Sequence, residues 1–361
     1  MTSEPQPLPP GLGWLFGITG RLIGLEPLAG GHIHDTFLAV YSGADGASHR
    51  HVHQRVNAGV FTDPAALTDK VDRVSRHLAA LGIPAPALTM GPGGRPYVVD
   101  GSGAVWRSWP YREGARSFRR FPSPAVATVA AAGFGRLLAA LVALPGPPPA
   151  EAIPGFHDVD RRLAAFEAAL AADRCSRAAG CGAEIDAVRA AAEDTPVELS
   201  RARMAGRLLE RVVHNDAKAD NVLIDDHTGA VAAILDLDTV APGTVLFDLG
   251  DLVRSGAPTQ EAGGAAPEVR LAVVEALVRG YLEGAAGVLT DGETGLFGLA
   301  GPLMAYESAL RYLTDHLDGD RYFGADRPGH NLDRARVQLS LLRQLLELRP
   351  AVEAAVDRLR R

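Results

Sequence analysis

The sequence predicts an α+β chain of two lobes: a small antiparallel β lobe with one helix, then a larger, mainly helical lobe with an embedded β-hairpin. Three observations predict it. At 361 residues the chain exceeds what one small core needs. Short β-prone runs crowd residues 20–110, whereas long apolar runs dominate after Gly114. Within the helical lobe a single stretch reverts to strand character, NVLID and AVAAILD around the turn DHTG. The expected boundary divides the chain into residues 1–112 and 113–361.

The elements follow in order. MTSEPQPLPP reads as a frayed, proline-rich lead-in with no basic start and no apolar run, so no signal peptide is expected. LEPLAGGHIHDTFLAV, HRHVHQRVNA, RPYVVD and AVWRSWP are the β-prone runs, separated by the turns SGADGA and GPGG. One helix interrupts them, with Asp63 as N-cap, Pro64 at the first helical position and an end near Leu81. WRSWPYREG then connects the lobes. PAVATVAAAGFGRLLAALVAL is a long helix ended by PGPPP, and DVDRRLAAFEAAL, EIDAVRAAAED and PVELSRARMAGRLLE follow as helices. Helices resume near Pro267 and run to the C-terminus. A cleft between the lobes is the expected place for a small ligand.

Net charge is −7 with both signs interleaved. A nucleic-acid binder would need a basic stripe, so that class is excluded, while room remains for an acidic pocket. Cys175 and Cys181 alone predict neither a disulfide framework nor a thiolate metal site, which fits a reducing cytoplasm. No stretch approaches the uninterrupted apolar length that spans a bilayer. A soluble, cytoplasmic monomer is expected.

The chemistry concentrates in VVHNDAKADNVLIDD, residues 212–226, where a polar knot sits between apolar runs. Such groups are costly between buried segments unless satisfied or used. Phosphoryl transfer from a nucleotide to a hydroxyl needs a carboxylate that orients the acceptor and oxygen ligands that hold magnesium. Asp216 suits the first task and Asn221 the second. ILDLD then returns Asp236 and Asp238 at the end of a buried strand. A polar turn ahead of a hairpin would also be rich in Asp and Asn, but the second acidic strand and the β-rich lobe favour the chemical reading.

HNDAKADN followed by ILDLD resembles the catalytic loop and metal-binding strand of the aminoglycoside phosphotransferase and choline kinase superfamily. The resemblance implies a protein-kinase-like two-lobe fold, with residues 1–112 binding nucleotide and 113–361 carrying catalysis and substrate. It implies Asp216 as catalytic base, Asn221 and Asp236 as magnesium ligands, and Asp238 near a second metal or the substrate. His214 would brace the loop, and Asp248 in FDLGD would anchor it. LAGGHIHDTF, HQRVNAGVFTDP, WRSWPYREG, LDLDTVAPG and RYLTDHLDGDRYF resemble, in order and spacing, the N-acetylhexosamine 1-kinases. These phosphorylate the anomeric hydroxyl of N-acetylglucosamine or N-acetylgalactosamine with ATP and Mg2+.

Further candidates follow from that resemblance. Gly30 and Gly31 would let a hairpin approach the ATP phosphates, and His32 or His34 would reach the sugar. The strand after them lacks the usual lysine. Arg55 is the substitute, with Gln54 as the alternative if the apolar face of the strand looks inward. His49, His51 and His53 share Arg55's face and are expected on a solvated strand surface. Asp72 is placed to pair with the phosphate-binding base. Pro110, Tyr111 and Arg112 would meet adenine through their backbone, with Trp106 and Trp109 as core aromatics. Arg311 and Tyr322 would face the sugar, beside Tyr312 and Asp315. The expected activity is ATP- and Mg2+-dependent phosphorylation of an N-acetylhexosamine. The alternatives are an aminoglycoside, choline or other amino-alcohol kinase, and a non-catalytic nucleotide-binding protein.

Overall fold

The computed structural model describes residues 8–28, 33–43, 46–259 and 267–361. They form a mixed α/β, protein-kinase-like fold of two compact units. One holds the residues through Ala115 together with Ala232–Thr239; the other holds Arg116–Val231 and Val240–Arg361.

The small unit contains α1 (Leu12–Leu15), β1 (Arg21–Pro27), β2 (Asp35–Ser42), β3 (Ser48–Arg55), α2 (Pro64–Ala80), β4 (Val98–Val99) and β5 (Val105–Pro110). Its antiparallel sheet runs β1-β2-β3-β5-β4. Helix α2 begins as expected: Asp63 accepts from the Ala66 N–H at 3.0 Å, with Pro64 at the first position. The run LEPLAGGHIHDTFLAV resolves into β1 and β2, with residues 29–32 outside the described residues.

The proline-rich start differs from expectation. From Leu8 onward it packs, and Leu12, Phe16 and Ile18 join Phe37, Tyr41 and Trp106 in the core. At Gly13 the helix comes so close to the Tyr41 ring that a β-carbon would overlap it. This covers the histidine side of β3, so the face expected to be solvated is half-buried at His49 and His51 and interior at His53. His53 is fully buried, its Nε2 lies 2.8 Å from the Tyr41 hydroxyl, and Phe16 packs against its ring. Burial first, and the charge of His51 second, push His53 down to about 4.

The large unit begins near β6 (Ala115–Arg116) and continues with α3 (Pro124–Val142), α4 (Val159–Ala172), α5 (Gly182–Ala190) and α6 (Glu198–Met204). The last stops earlier than the run PVELSRARMAGRLLE suggests. Gly206, with φ +66°, ends it, because only a residue without a β-carbon enters that region cheaply. Next come β7 (Arg211–Val213), β8 (Val222–Asp225), β9 (Val231–Ile234) and β10 (Ala241–Gly243). Then follow α7 (Val245–Gly256), α8 (Leu271–Gly284), α9 (Asp291–Thr294), α10 (Phe297–Leu317) and α11 (His330–Leu359).

One helix corrects the membrane expectation: α3 is long and apolar enough to cross a bilayer by length and composition. It packs instead along α8. Gly280 and Gly284 rest on the carbonyls of Thr128 and Ala132, where any β-carbon would collide with backbone. β7 pairs antiparallel with β10 through Val213 and Ala241. The expected hairpin turn closes where the Asp225 N–H donates to the Ala230 carbonyl at 2.9 Å. β9 then carries the chain into the small unit, where the Ile234 N–H donates to the Pro84 carbonyl at 2.9 Å.

Candidate active site

The loop after β7 is fixed through its backbone. The first turn of α7 presents Asp248, which accepts the N–H groups of His214 at 3.0 Å and Asn215 at 2.8 Å. This is the anchoring expected of FDLGD. Burial pushes the Asp248 carboxyl up, against the opposing charge of His214 and these two donors. Asn215 adopts φ +63°, a left-handed conformation costing about 1 kcal/mol or more that survives only where the surroundings impose it. Its Nδ2 donates to the Ala241 carbonyl at 3.2 Å, and its Oδ1 lies against Gly243, where a β-carbon would overlap it. The Asp216 N–H donates to His214 Nδ1 at 3.2 Å, so His214 braces the loop.

These constraints aim Asp216. Its Oδ2 lies 2.9 Å from Lys218 Nζ and accepts from Asn221 Nδ2 at 3.2 Å; the same amide also donates to the Asp216 carbonyl at 2.8 Å. Among the described residues nothing donates to Oδ1. Asp216 is half-buried. The result is a carboxylate with one oxygen held by a cation and an amide, and one oxygen open to an acceptor.

The same unit carries the late candidates. Arg311, on α10, lies 3.7 Å from Glu307 and stands over the rings of Phe156 at 5.1 Å and Phe323 at 5.3 Å. Arg162 is pushed down by burial first and by the Arg311 charge next, so two guanidiniums act on one region. Asp315 gathers the N–H groups of Arg321 and Tyr322 at 2.8 Å and Phe323 at 3.0 Å. That capture shapes the loop bearing Tyr322, whose side chain is exposed.

In the small unit the acidic strand end meets a different environment. Asp238 is buried, and both its oxygens accept from Arg107, Oδ1 at 2.6 Å and Oδ2 at 2.8 Å, with His34 Nε2 at 2.8 Å from Oδ2. Lys70 donates to the Asp238 carbonyl at 2.6 Å, and burial pushes its ammonium down to about 8. Burial alone would raise the Asp238 carboxyl; Arg107 and His34 outweigh it and hold it far below the usual range. Three donors thus converge on this carboxylate, two on Oδ2 and one on Oδ1, and Asp238 braces the small unit. His34 is likewise occupied: Nε2 meets Asp238 and Nδ1 accepts from the Asn57 N–H at 3.1 Å. Asp236 is the exposed member of the pair, at φ +57°.

The expected pairing of Asp72 with the strand base is also corrected. Arg55 meets Asp35 at 3.4 Å, and Asp72 meets Arg76 on its own helix at 2.6 Å. Gln54 lies on the opposite side of the strand, accepting from Arg107 Nε at 2.8 Å. Arg107 is therefore the buried cation where a strand lysine was sought, one strand away. Pro110 pairs with His51, and the Tyr111 N–H donates to the Arg50 carbonyl at 2.9 Å. Arg112 follows in the exposed connector. Gly30, Gly31 and His32 lie outside the described residues.

Arg107, Lys70 and Glu307 belong to these clusters, and His157 lies 2.9 Å from Glu307; none of the four was singled out by sequence. Arg107 and Glu307 are each the single charged residue in a largely apolar stretch, AVWRSW and LMAYESAL, which is the signal that could have found them, whereas His157 lies in the polar run HDVDRR and carries no such signal.

The phosphotransferase enzyme family profile matches residues 24–288. The chain belongs to this family. The phosphotransferase also resembles solved structures at low identity. An aminoglycoside phosphotransferase from Alicyclobacillus acidocaldarius is 14% identical with a TM-score of 0.60, covering 99% of this chain and 98% of that one. Amicoumacin kinase hAmiN, solved with AMP-PNP, Ca2+ and amicoumacin, is 13% identical with a TM-score of 0.58 over 89% and 88%. Choline kinase from Cryptosporidium parvum is 12% identical with a TM-score of 0.57 over 93% and 92%. At these identities the likeness is one of fold; the phosphotransferase family expected from HNDAKADN and ILDLD rests on the profile match.

Among the described residues no group of three or more His, Cys, Asp or Glu could hold a metal ion. Magnesium asks less: one or two carboxylates with water and phosphate oxygens suffice. With Asn221 Nδ2 committed to Asp216, its Oδ1 is the atom left for a cation. In the large unit an amide oxygen alone fits a nucleotide-borne ion better than a protein cage.

Proposed function

We propose that this phosphotransferase transfers the γ-phosphoryl group of ATP to a hydroxyl of a small molecule, and that the acceptor is the anomeric hydroxyl of an N-acetylhexosamine. The observation that carries the chemistry is the open Oδ1 of Asp216, beside an Oδ2 already held by Lys218 and Asn221. An acceptor hydroxyl donating to Oδ1 would be oriented and relieved of its proton there. Lys218 Nζ and the Asn221 amide hold Oδ2 in place, which leaves Oδ1 as the oxygen turned to the acceptor. Asn221 Oδ1 and Asp236 are the candidate magnesium ligands; the ion, when bound, would offset charge on the transferring phosphoryl group.

The choice of acceptor rests on Arg311 and Arg162. Two guanidiniums acting on one region disfavour a polycationic aminoglycoside or choline through like-charge repulsion. An acetylated amino sugar is neutral, presents oxygens to the Arg311 fork and has a face that Tyr322 could cover. Coupled ADP release, measured across amino sugars, aminoglycosides and choline with and without Mg2+, tests both claims. Turnover with N-acetylhexosamines alone, and phosphate on C1 of the product, is expected. Turnover confined to cationic acceptors would overturn the acceptor. Nucleotide binding without ADP release from any acceptor would favour a non-catalytic protein.

A further inference from the structure

His157 precedes α4 and is buried between the rings of Phe156 and Phe247, each centred 4.5 Å away. Both its nitrogens face acceptors. Nδ1 lies 2.9 and 3.0 Å from the two Glu307 oxygens, and Nε2 lies 2.6 Å from the Asn215 carbonyl. A carbonyl can only accept, so Nε2 carries hydrogen; a carboxylate accepts, so Nδ1 carries one too. Two aromatic rings in contact with the imidazole, tilted by 59° and 30°, add a setting that favours a cation. Burial alone would push the imidazole down; Glu307's charge and hydrogen bond, then Asp251's charge and the Asn215 carbonyl, outweigh it and hold the group above its ordinary value.

The contact matters because of the peptide it reaches. The Asn215 carbonyl belongs to the peptide whose N–H, that of Asp216, donates to His214. The peptide plane is therefore clamped at both ends, immediately before the carboxylate assigned to catalysis and immediately after a residue in a left-handed conformation. Releasing the carbonyl end frees that plane to rotate and swings the Asp216 side chain with it. Glu307 also faces Arg311 at 3.7 Å, so one carboxylate joins the candidate acceptor-side guanidinium to the catalytic loop.

We infer that His157, held as an imidazolium by Glu307, is a positioning residue that clamps the Asn215–Asp216 peptide and ties the catalytic loop to Arg311. The inference rests on Asp216 being the base. A misplacement of about 1 Å can cost two orders of magnitude in rate, so His157→Gln should lower kcat by about tenfold to a hundredfold while KM for ATP and acceptor stays within about twofold. Glu307→Gln should act in the same direction. The full-length protein labelled with 15N should show one histidine ring with both nitrogens protonated at neutral pH, a signature absent from His157→Gln and lost in Glu307→Gln.

A folded His157→Gln protein with unchanged kcat, or a loss residing wholly in KM, would overturn the clamp. So would a wild-type His157 ring with only one protonated nitrogen, a readout that stands even if the variant does not fold. If the wild type turns over none of the acceptors, the proposed function fails instead. Hydrogen exchange at the Asp216 amide then decides: faster exchange in Glu307→Gln supports the clamp, and unchanged exchange overturns it.

Discussion

Asp216 and Asp238 stand in similar company, each beside a cationic side chain, yet their surroundings prepare them for opposite tasks. Asp238 is buried, and Arg107 and His34 occupy both its oxygens. Asp216 is half-buried and has one oxygen engaged by Lys218 and Asn221, leaving the other open. Unused hydrogen-bonding capacity, rather than proximity to charge, separates a carboxylate that can meet a substrate from one that holds structure together. Arg107 makes the same point from the cationic side, since its fork is consumed by Asp238 and Gln54.

Exchanging the two aspartates for neutral side chains would break or sharpen this contrast. The largest effect is expected at Asp216→Asn, which should lower turnover by about two to four orders of magnitude with the urea midpoint unmoved; retained turnover would remove the base. Asp238→Ala should do the reverse. It strands the buried Arg107 guanidinium and should cost about 3–5 kcal/mol in urea unfolding. A variant as stable as wild type would mean that the buried pair carries no structural weight.

Acid should act on the small unit through His53. Its folded value is depressed from 6.5 to about 4. Between those values the unfolded chain binds a proton and the folded chain does not. Stability is therefore complete above pH 6.5 and falls as the pH drops toward 4, by about 3 kcal/mol at most. Thermal melts across that window should flatten in His53→Gln. The smallest effect belongs to the Arg50–Glu113 pair, with side chains 37% and 61% exposed. Arg50→Ala should change stability by less than about 1 kcal/mol, as chemical denaturation would show.

Legibility in the sequence followed how local each signal is. Asp216, Asn221 and Asp248 sit in short segments whose polar residues interrupt apolar runs, and the loop geometry agrees with that pattern. Asp63 and Pro64 marked the start of α2 for the same reason, because a cap is decided within four residues. The β3 histidines were placed on one face correctly, but their burial depended on Leu12 and Phe16, forty residues earlier in a stretch that looked like a loose lead-in. Arg107 was hidden between Trp106 and Trp109 because its meaning lies in the strand register with Gln54. His157 and Glu307 are 150 residues apart, and no spacing rule connects them. The early end of α6 turns on Gly206, a single residue inside a run that otherwise suits a helix, and α7 was missed although its apolar and polar residues alternate with a helical period.

The return of Ala232–Thr239 to the small unit bears on any attempt to divide the molecule. A polypeptide ending at Ala115 would keep the sheet and α2 yet lack the acid that neutralises Arg107, and Lys70 would lose the carbonyl it caps. Such a piece, expressed alone, would hold two desolvated positive charges without counter-ions, and should recover order when a synthetic peptide spanning residues 230–240 is supplied in trans.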